Sequence, residues 1–153
     1  MANFYGSTFT GVLDVTPATA KADASKSRSK LRTTTEVFDL AALYAANGNV
    51  AIPAGSFLIC GKLPVGARYS SMVVTTDTSL GSTTISSGTA ASNAKYGAAA
   101  TAALTDTPLT KTKASAKAQA PLTTEEIVGL TTAVGALPTT GIMVVETHWT
   151  EAA

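Results

Sequence analysis

The chain has 153 residues, a formal net charge of +1, 14 % charged residues, and one His and one Cys. That length suits one domain with a real core. The near-neutral balance excludes sequence-independent nucleic-acid binding by bulk charge. A single imidazole and a single thiol exclude a disulfide framework and argue against a His- or Cys-built metal site within one chain. No stretch approaches the roughly 20 apolar residues of a membrane-spanning helix. Residues 1–11 lack the basic and apolar regions of a signal peptide, so synthesis in the cytoplasm without a leader is expected.

In chain order, short runs rich in Thr, Val, Ile and Tyr, bounded by Gly, Pro, Asn and Ser, predict strands. The first covers residues 8–15. Residues 16–29 are rich in Ala, Ser and Lys and predict an extended segment. A long strand follows over residues 30–40, with Leu31, Thr33, Thr35 and Val37 on one face and Arg32, Thr34, Glu36 and Phe38 on the other. Asp39 is placed to cap a short helix through residues 40–46, stopped by Asn47-Gly48. Residues 57–63 predict a strand with Phe57, Ile59, Gly61 and Leu63 sharing one face, opposite Leu58, Cys60 and Lys62.

A Pro64-Val65-Gly66 turn, a strand over 67–76, a turn at Asp77–Ser79 and a strand over about 80–89 come next. The alanine-rich residues 92–103 read as loop or weak helix, and 105–120 as loop. Thr123 or Thr124 is placed to cap a second short helix at Glu125-Glu126-Ile127-Val128, and irregular loop is the rival reading of both short helices. The last strand, 141–150, puts Ile142, Val144, Glu146 and His148 on one side and Met143, Val145, Thr147 and Trp149 on the other. About seven short strands with regular turn signals predict an all-β fold: a jelly-roll-like β-sandwich with an extended N-terminal arm and one or two short helices. The arm and its strand take residues 1–29 and the sandwich residues 30–153.

Catalytic signatures are missing from the sequence. It contains no G-x-S-x-G elbow, P-loop or G-x-G-x-x-G fingerprint. His148 lies in a strand pattern and reads as a half-buried or interface side chain. Glu125 and Glu126 are adjacent and diverge on a helix, which suits them poorly to paired acid–base work. Asp77-Thr78-Ser79-Leu80-Gly81 lacks the repeated oxygen ligands of a calcium loop and reads as a turn. Cys60 reads as a reduced, buried structural thiol. No enzyme and no cofactor or metal is expected.

Charge placement is more informative. Lys21, Lys26, Arg28, Lys30 and Arg32 crowd one stretch, and from Lys26 to Arg32 they occupy every second residue, one face of an extended chain. Lys111, Lys113 and Lys117 form a second cluster. Beyond Ala120 the chain has no Lys or Arg and carries Glu125, Glu126, Glu146 and Glu151. A solvated face is one reading of the first cluster. The other is a basic arm docking on an acidic protein surface, so these five residues are candidate contacts to another subunit or partner.

The stretch Val50-Ala-Ile-Pro-Ala-Gly-Ser-Phe-Leu-Ile-Cys-Gly-Lys-Leu-Pro-Val-Gly-Ala-Arg68, the following Thr75-Thr-Asp-Thr-Ser-Leu-Gly-Ser-Thr-Thr-Ile-Ser-Ser-Gly-Thr-Ala90, Asn93-Ala-Lys-Tyr96 and Ala136-Leu-Pro-Thr-Thr-Gly-Ile-Met-Val-Val145 resemble small virion proteins of tailed bacteriophages. The group in question comprises capsid decoration, or cement, proteins. The resemblance spans roughly residues 50–145 and rests on turn chemistry and strand patterning. The basic stretch is outside it. It implies a trimeric β-sandwich on the outer surface of a phage head, binding the major capsid protein and stabilising the shell, with no membrane or specific nucleic-acid partner. Another virion part (tail, fibre-base or head–tail adaptor) and a carbohydrate-binding β-sandwich, with Trp149, Tyr69 and Tyr96 as stacking residues, are the alternatives.

Overall fold

In the computed structural model, which describes residues 30–101, 105–112 and 120–151, eight strands and one helix follow one another along the chain. They are β1 (Lys30–Asp39), α1 (Leu40–Ala46), β2 (Phe57–Leu63), β3 (Arg68–Thr76), β4 (Thr84–Thr89), β5 (Ser92–Thr101), β6 (Leu109–Thr112), β7 (Glu126–Ala133) and β8 (Ile142–Glu151). The expected strand at 8–15 and the arm lie outside the described residues.

Two antiparallel four-stranded sheets face each other, in the orders β1-β8-β3-β6 and β2-β7-β4-β5. The pairing is nested: β1 with β8, β2 with β7, β3 with β6 and β4 with β5. This is a long antiparallel ribbon rolled up on itself, and the lateral pairs β3–β8 and β4–β7 close it into two sheets. The result is the eight-stranded jelly roll.

Alternation on the inner strands makes the core. Met143, Val145 and Thr147 of β8 and Met72 and Val74 of β3 point inward and are fully buried, against Leu58, Cys60 and Leu63 of β2, Val128 and Leu130 of β7, and Ile85 of β4. Both predicted faces of β8 stand. On β2 the alternation breaks. The register shifts between Ile59 and Gly61, so a β-bulge at Cys60 brings Leu63 onto the buried face of Leu58 and Cys60. Strict alternation therefore assigned Leu63 to the wrong face.

α1 forms as expected. Asp39 Oδ1 accepts from the Ala41 and Ala42 amides at 2.9 and 3.1 Å, Leu40 is buried, and Gly48 turns the chain at φ 72°. Other expectations fail. Residues 125–128 are not a helix, because from Glu126 onward they enter β7, which pairs on both sides with β2 and β4. The ladder hydrogen bonds and the burial of Val128 and Leu130 outweigh a local capping pattern. The alanine-rich residues 92–101 are likewise strand β5, although Ala prefers helix. Pairing with β4 overrides that preference, and the small side chains let the β4–β5 turn fold close over Gly88, where a Cβ would meet Ser92 O at 2.2 Å. Residues 109–112, expected as loop, form β6, and β4 starts at Thr84 rather than near 80.

Candidate docking surfaces

The two sheets are held together at one side by aromatic and charged groups. Tyr69 of β3 stacks on Tyr96 of β5, with ring centroids 4.3 Å apart and planes at 20°. Tyr69 donates its hydroxyl hydrogen to Lys111 O of β6 at 2.9 Å. Tyr96 donates to Glu126 Oε2 of β7 at 2.5 Å, and Lys95 Nζ binds the other carboxylate oxygen of Glu126. Burial opposes ionisation of Glu126, but Lys95 and Tyr96 outweigh it and hold this carboxyl below its usual range. Burial pushes the Tyr69 hydroxyl up to about 12 and raises that of Tyr96 further. Both rings are thus core elements, and Trp149 packs against the same core. Fully buried, Tyr69 and Tyr96 present no open face for sugar stacking.

Of the second basic cluster the structure places Lys111, and not at the surface. It is 4 % exposed and points between the sheets, where Nζ donates to Ala98 O of β5 at 2.8 Å. Burial lowers its amine to about 8. Gly97 makes the space: a Cβ there would lie 2.6 Å from Ser87 Oγ and 3.1 Å from Lys111 Cβ. The sequence reading as loop hid this; once residues 109–112 are a strand, Leu109 and Lys111 are two apart and share the inward face. Lys113 and Lys117 lie outside the described residues.

Lys21, Lys26 and Arg28 also lie outside the described residues. Lys30 stands opposite Glu151 in the β1–β8 ladder, and Arg32 Nε meets Glu151 Oε2 at 3.1 Å, both side chains about half exposed. Of the five basic contact candidates, the structure therefore places two, on the outermost strand of one sheet.

The solvent face of that sheet is poor in charge. β1 presents Leu31, Thr33, Thr35 and Val37, β8 presents Ile142, Val144, Glu146 and His148, and β3 presents Ser71, Val73 and Thr75. Leu31 is 64 % exposed and Val37 57 %. Away from the strand ends its only ionisable side chains among the described residues are Glu146 and His148. The half-buried His148 receives or donates a 3.1 Å hydrogen bond with Thr33 Oγ1, according to its tautomer, and lies 3.8 Å from Glu146. On the other sheet, Ile59 and Ile127 are exposed, and shallow depressions of about 430 and 470 Å³ flank the β4–β5 turn at Ala90 and Ala91. Cys60 is a buried free thiol, pushed up to about 12 by its burial, and is unreactive there. Asp77 clasps a turn: its Oδ1 accepts from the Ile142 amide at 2.7 Å and from Thr78 Oγ1.

Among the described residues, this surface offers Thr- and aliphatic-rich sheet faces, a strand edge without a partner and shallow depressions. The fold has counterparts among solved structures. A chain of the cyanophage Pam1 capsid asymmetric unit superposes with a TM-score of 0.56 at 19 % identity, covering 80 % of this chain and 84 % of that one. A chain of the Ralstonia phage GP4 capsid gives 0.56 at 16 % identity, over 82 % and 85 %. A chain of the acid-stable capsid of Helicobacter pylori bacteriophage KHP30 gives 0.54 at 11 % identity, over 80 % and 89 %. No protein-family model and no curated protein matches the sequence. The chain is accordingly a jelly-roll β-sandwich similar in fold to chains found in phage capsids.

Proposed function

We propose that this chain is a structural component of a bacteriophage virion, and specifically a capsid decoration, or cement, protein. In that role it binds the major capsid protein on the outer surface of the head, as a trimer, and stabilises the shell without catalysis. The observation that carries this reading is the match of four-fifths or more of the chain to chains of three different phage capsids. The resemblance of residues 50–145 to decoration proteins supports the finer assignment. Exposed Leu31 and Val37 on one sheet and Ile59 and Ile127 on the other supply apolar area that a protein–protein contact can bury.

The basic stretch containing Lys21, Lys26, Arg28, Lys30 and Arg32 supplies the electrostatic part of the contact, reaching an acidic patch on the shell or on a neighbouring copy. Repetition on a symmetric shell multiplies weak contacts into firm attachment. Electron microscopy of the particle carrying this chain tests the reading. Density for the sandwich on the outer head surface in hundreds of copies supports it. Density in the tail or at the portal vertex, or no density on the particle, refutes it.

A further inference from the structure

β1 is the outer strand of its sheet, ten residues long, and among the described residues nothing pairs with its free edge. An uncovered edge of that length is a template for another strand. Most such edges are blunted by charge. Lys30 and Asp39 end the strand, and between them its charges are Arg32 and Glu36, of opposite sign and four residues apart on one face, while Leu31 and Val37 stand six apart on the other face.

A second copy of β1 can approach this edge antiparallel about a twofold axis normal to the sheet. Such an axis keeps each face on its own side, so a residue meets one of like parity. When Thr34 meets its own counterpart, Arg32 falls opposite Glu36 of the other copy and Glu36 opposite Arg32. On the solvent face, Leu31 meets Val37 and Val37 meets Leu31, with Thr33 facing Thr35. Every cross-strand pair from 31 to 37 is then matched in chemistry. Sliding the register by two in either direction breaks the match. One way it sets Leu31 against Asp39 and Arg32 against Phe38; the other way it sets Leu31 against Thr35 and Arg32 against Thr34.

We infer that β1 pairs with β1 of a second copy in this register, joining two sandwiches through one continuous eight-stranded sheet. The occupant is the chain itself because the edge is complementary to itself in both charge and apolar contact. Arg32 and Glu36 are both exposed, and Arg32 engages Glu151 through Nε alone, which leaves its terminal nitrogens for a second carboxylate. Backbone hydrogen bonds along the edge supply affinity, and the side-chain pairs fix the register. The contact is twofold and therefore separate from the threefold association proposed above, and it does not depend on the capsid reading.

Sedimentation of the full-length chain tests it. The expected species contain even numbers of chains; a mass of one or three chains at the highest soluble concentration overturns the inference. Glu36→Lys sets like charges opposite each other at two places and is expected to weaken the association about tenfold or more. Arg32→Glu does the same with two carboxylates. Mixing the two variants restores both ion pairs, so a mixed dimer is expected where neither variant pairs alone. Failure of the mixture to associate, with both variants folded by circular dichroism, overturns the inference. The register is read separately: a Thr33→Cys chain mixed with a Thr35→Cys chain forms a mixed disulfide, and neither variant alone does. A disulfide in either variant alone, or none in the mixture, overturns the register.

Discussion

Tyr69 and Tyr96 come from opposite sheets and stack on one another, 4.3 Å between ring centroids, while their hydroxyls reach outward in different directions to Lys111 O and the Glu126 carboxylate. Four strands, β3, β5, β6 and β7, meet through this one contact. Tyr96→Phe keeps the stack and removes one donor from Glu126, so it is expected to cost about 1–2 kcal/mol. Tyr96→Ala removes the stack as well and is expected to cost about 3 kcal/mol or more. Urea unfolding at constant slope measures both, and equal losses would mean that the stack contributes nothing.

Glu126 gives the protein an acid limit. Its folded carboxyl titrates below the ordinary value of about 4.3, because Lys95 and Tyr96 favour the charged form. The stabilisation is complete above that ordinary value and is lost as the pH falls through the folded value. Wild type is expected to exceed Glu126→Gln in stability at pH 6, and the difference to shrink below about pH 4. A difference that does not change with pH would exclude ionisation as its source.

Lys111 acts in the opposite direction. Its folded amine titrates near 8, against about 10.4 unfolded, because burial penalises the charge. Between those values the unfolded chain holds the proton more tightly, so this group makes the fold more stable as the pH rises from about 8 to about 10. Cys60, raised to about 12, works against it above about 9. The Lys111 contribution is therefore read as the difference between wild type and Lys111→Met. That difference is expected to move in favour of wild type over the window, and Lys111→Met is expected to be at least as stable at neutral pH.

Two glycines of the sandwich interior separate sharply. A Cβ on Gly129 would lie 2.0 Å from Leu58 O and 2.9 Å from the Phe57 ring, whereas one on Gly61 would meet only the Thr34 side chain at 3.6 Å or more. Gly129→Ala is expected to cost about 3 kcal/mol or more by forcing β2 and β7 apart. Gly61→Ala is expected to stay within about 1 kcal/mol of wild type. Thermal melts of the two variants make the comparison.

The proposed basic arm predicts salt sensitivity. Binding to undecorated heads should weaken as ionic strength rises, and deletion of residues 18–29 should weaken it further at low salt. Co-sedimentation with heads measures both; binding that survives each change would rule out the arm as a docking element.

Much of this was legible one strand at a time. The alternation in residues 141–150 fixed which side chains of β8 face the core, and the Asp39 cap with the Asn47-Gly48 stop bounded α1. The errors fall where partners at long range decide. Nothing near Cys60 announces its bulge, which exists to match β2 to Val128 and Gly129 of β7. The Glu125-Glu126 pair imitates a helix start because its use, a carboxylate for Lys95 and Tyr96, lies about thirty residues away. Composition hid Lys111, which counted as surface charge until β6 was seen to face inward.

Runs of Thr, Val, Ile and Tyr with period-2 alternation, bounded by turn residues, determined by themselves that this chain builds a sandwich of short strands, because such patterns act locally. The tertiary structure decided which strands are neighbours and, among the described residues, which strand lies at the sheet edge. The nested pairing puts β1 at the rim with Arg32 and Glu36 on its free edge, and the closure of the two sheets buries Lys111. Those outcomes depend on contacts between segments far apart in the chain, and no local pattern carries their free energy.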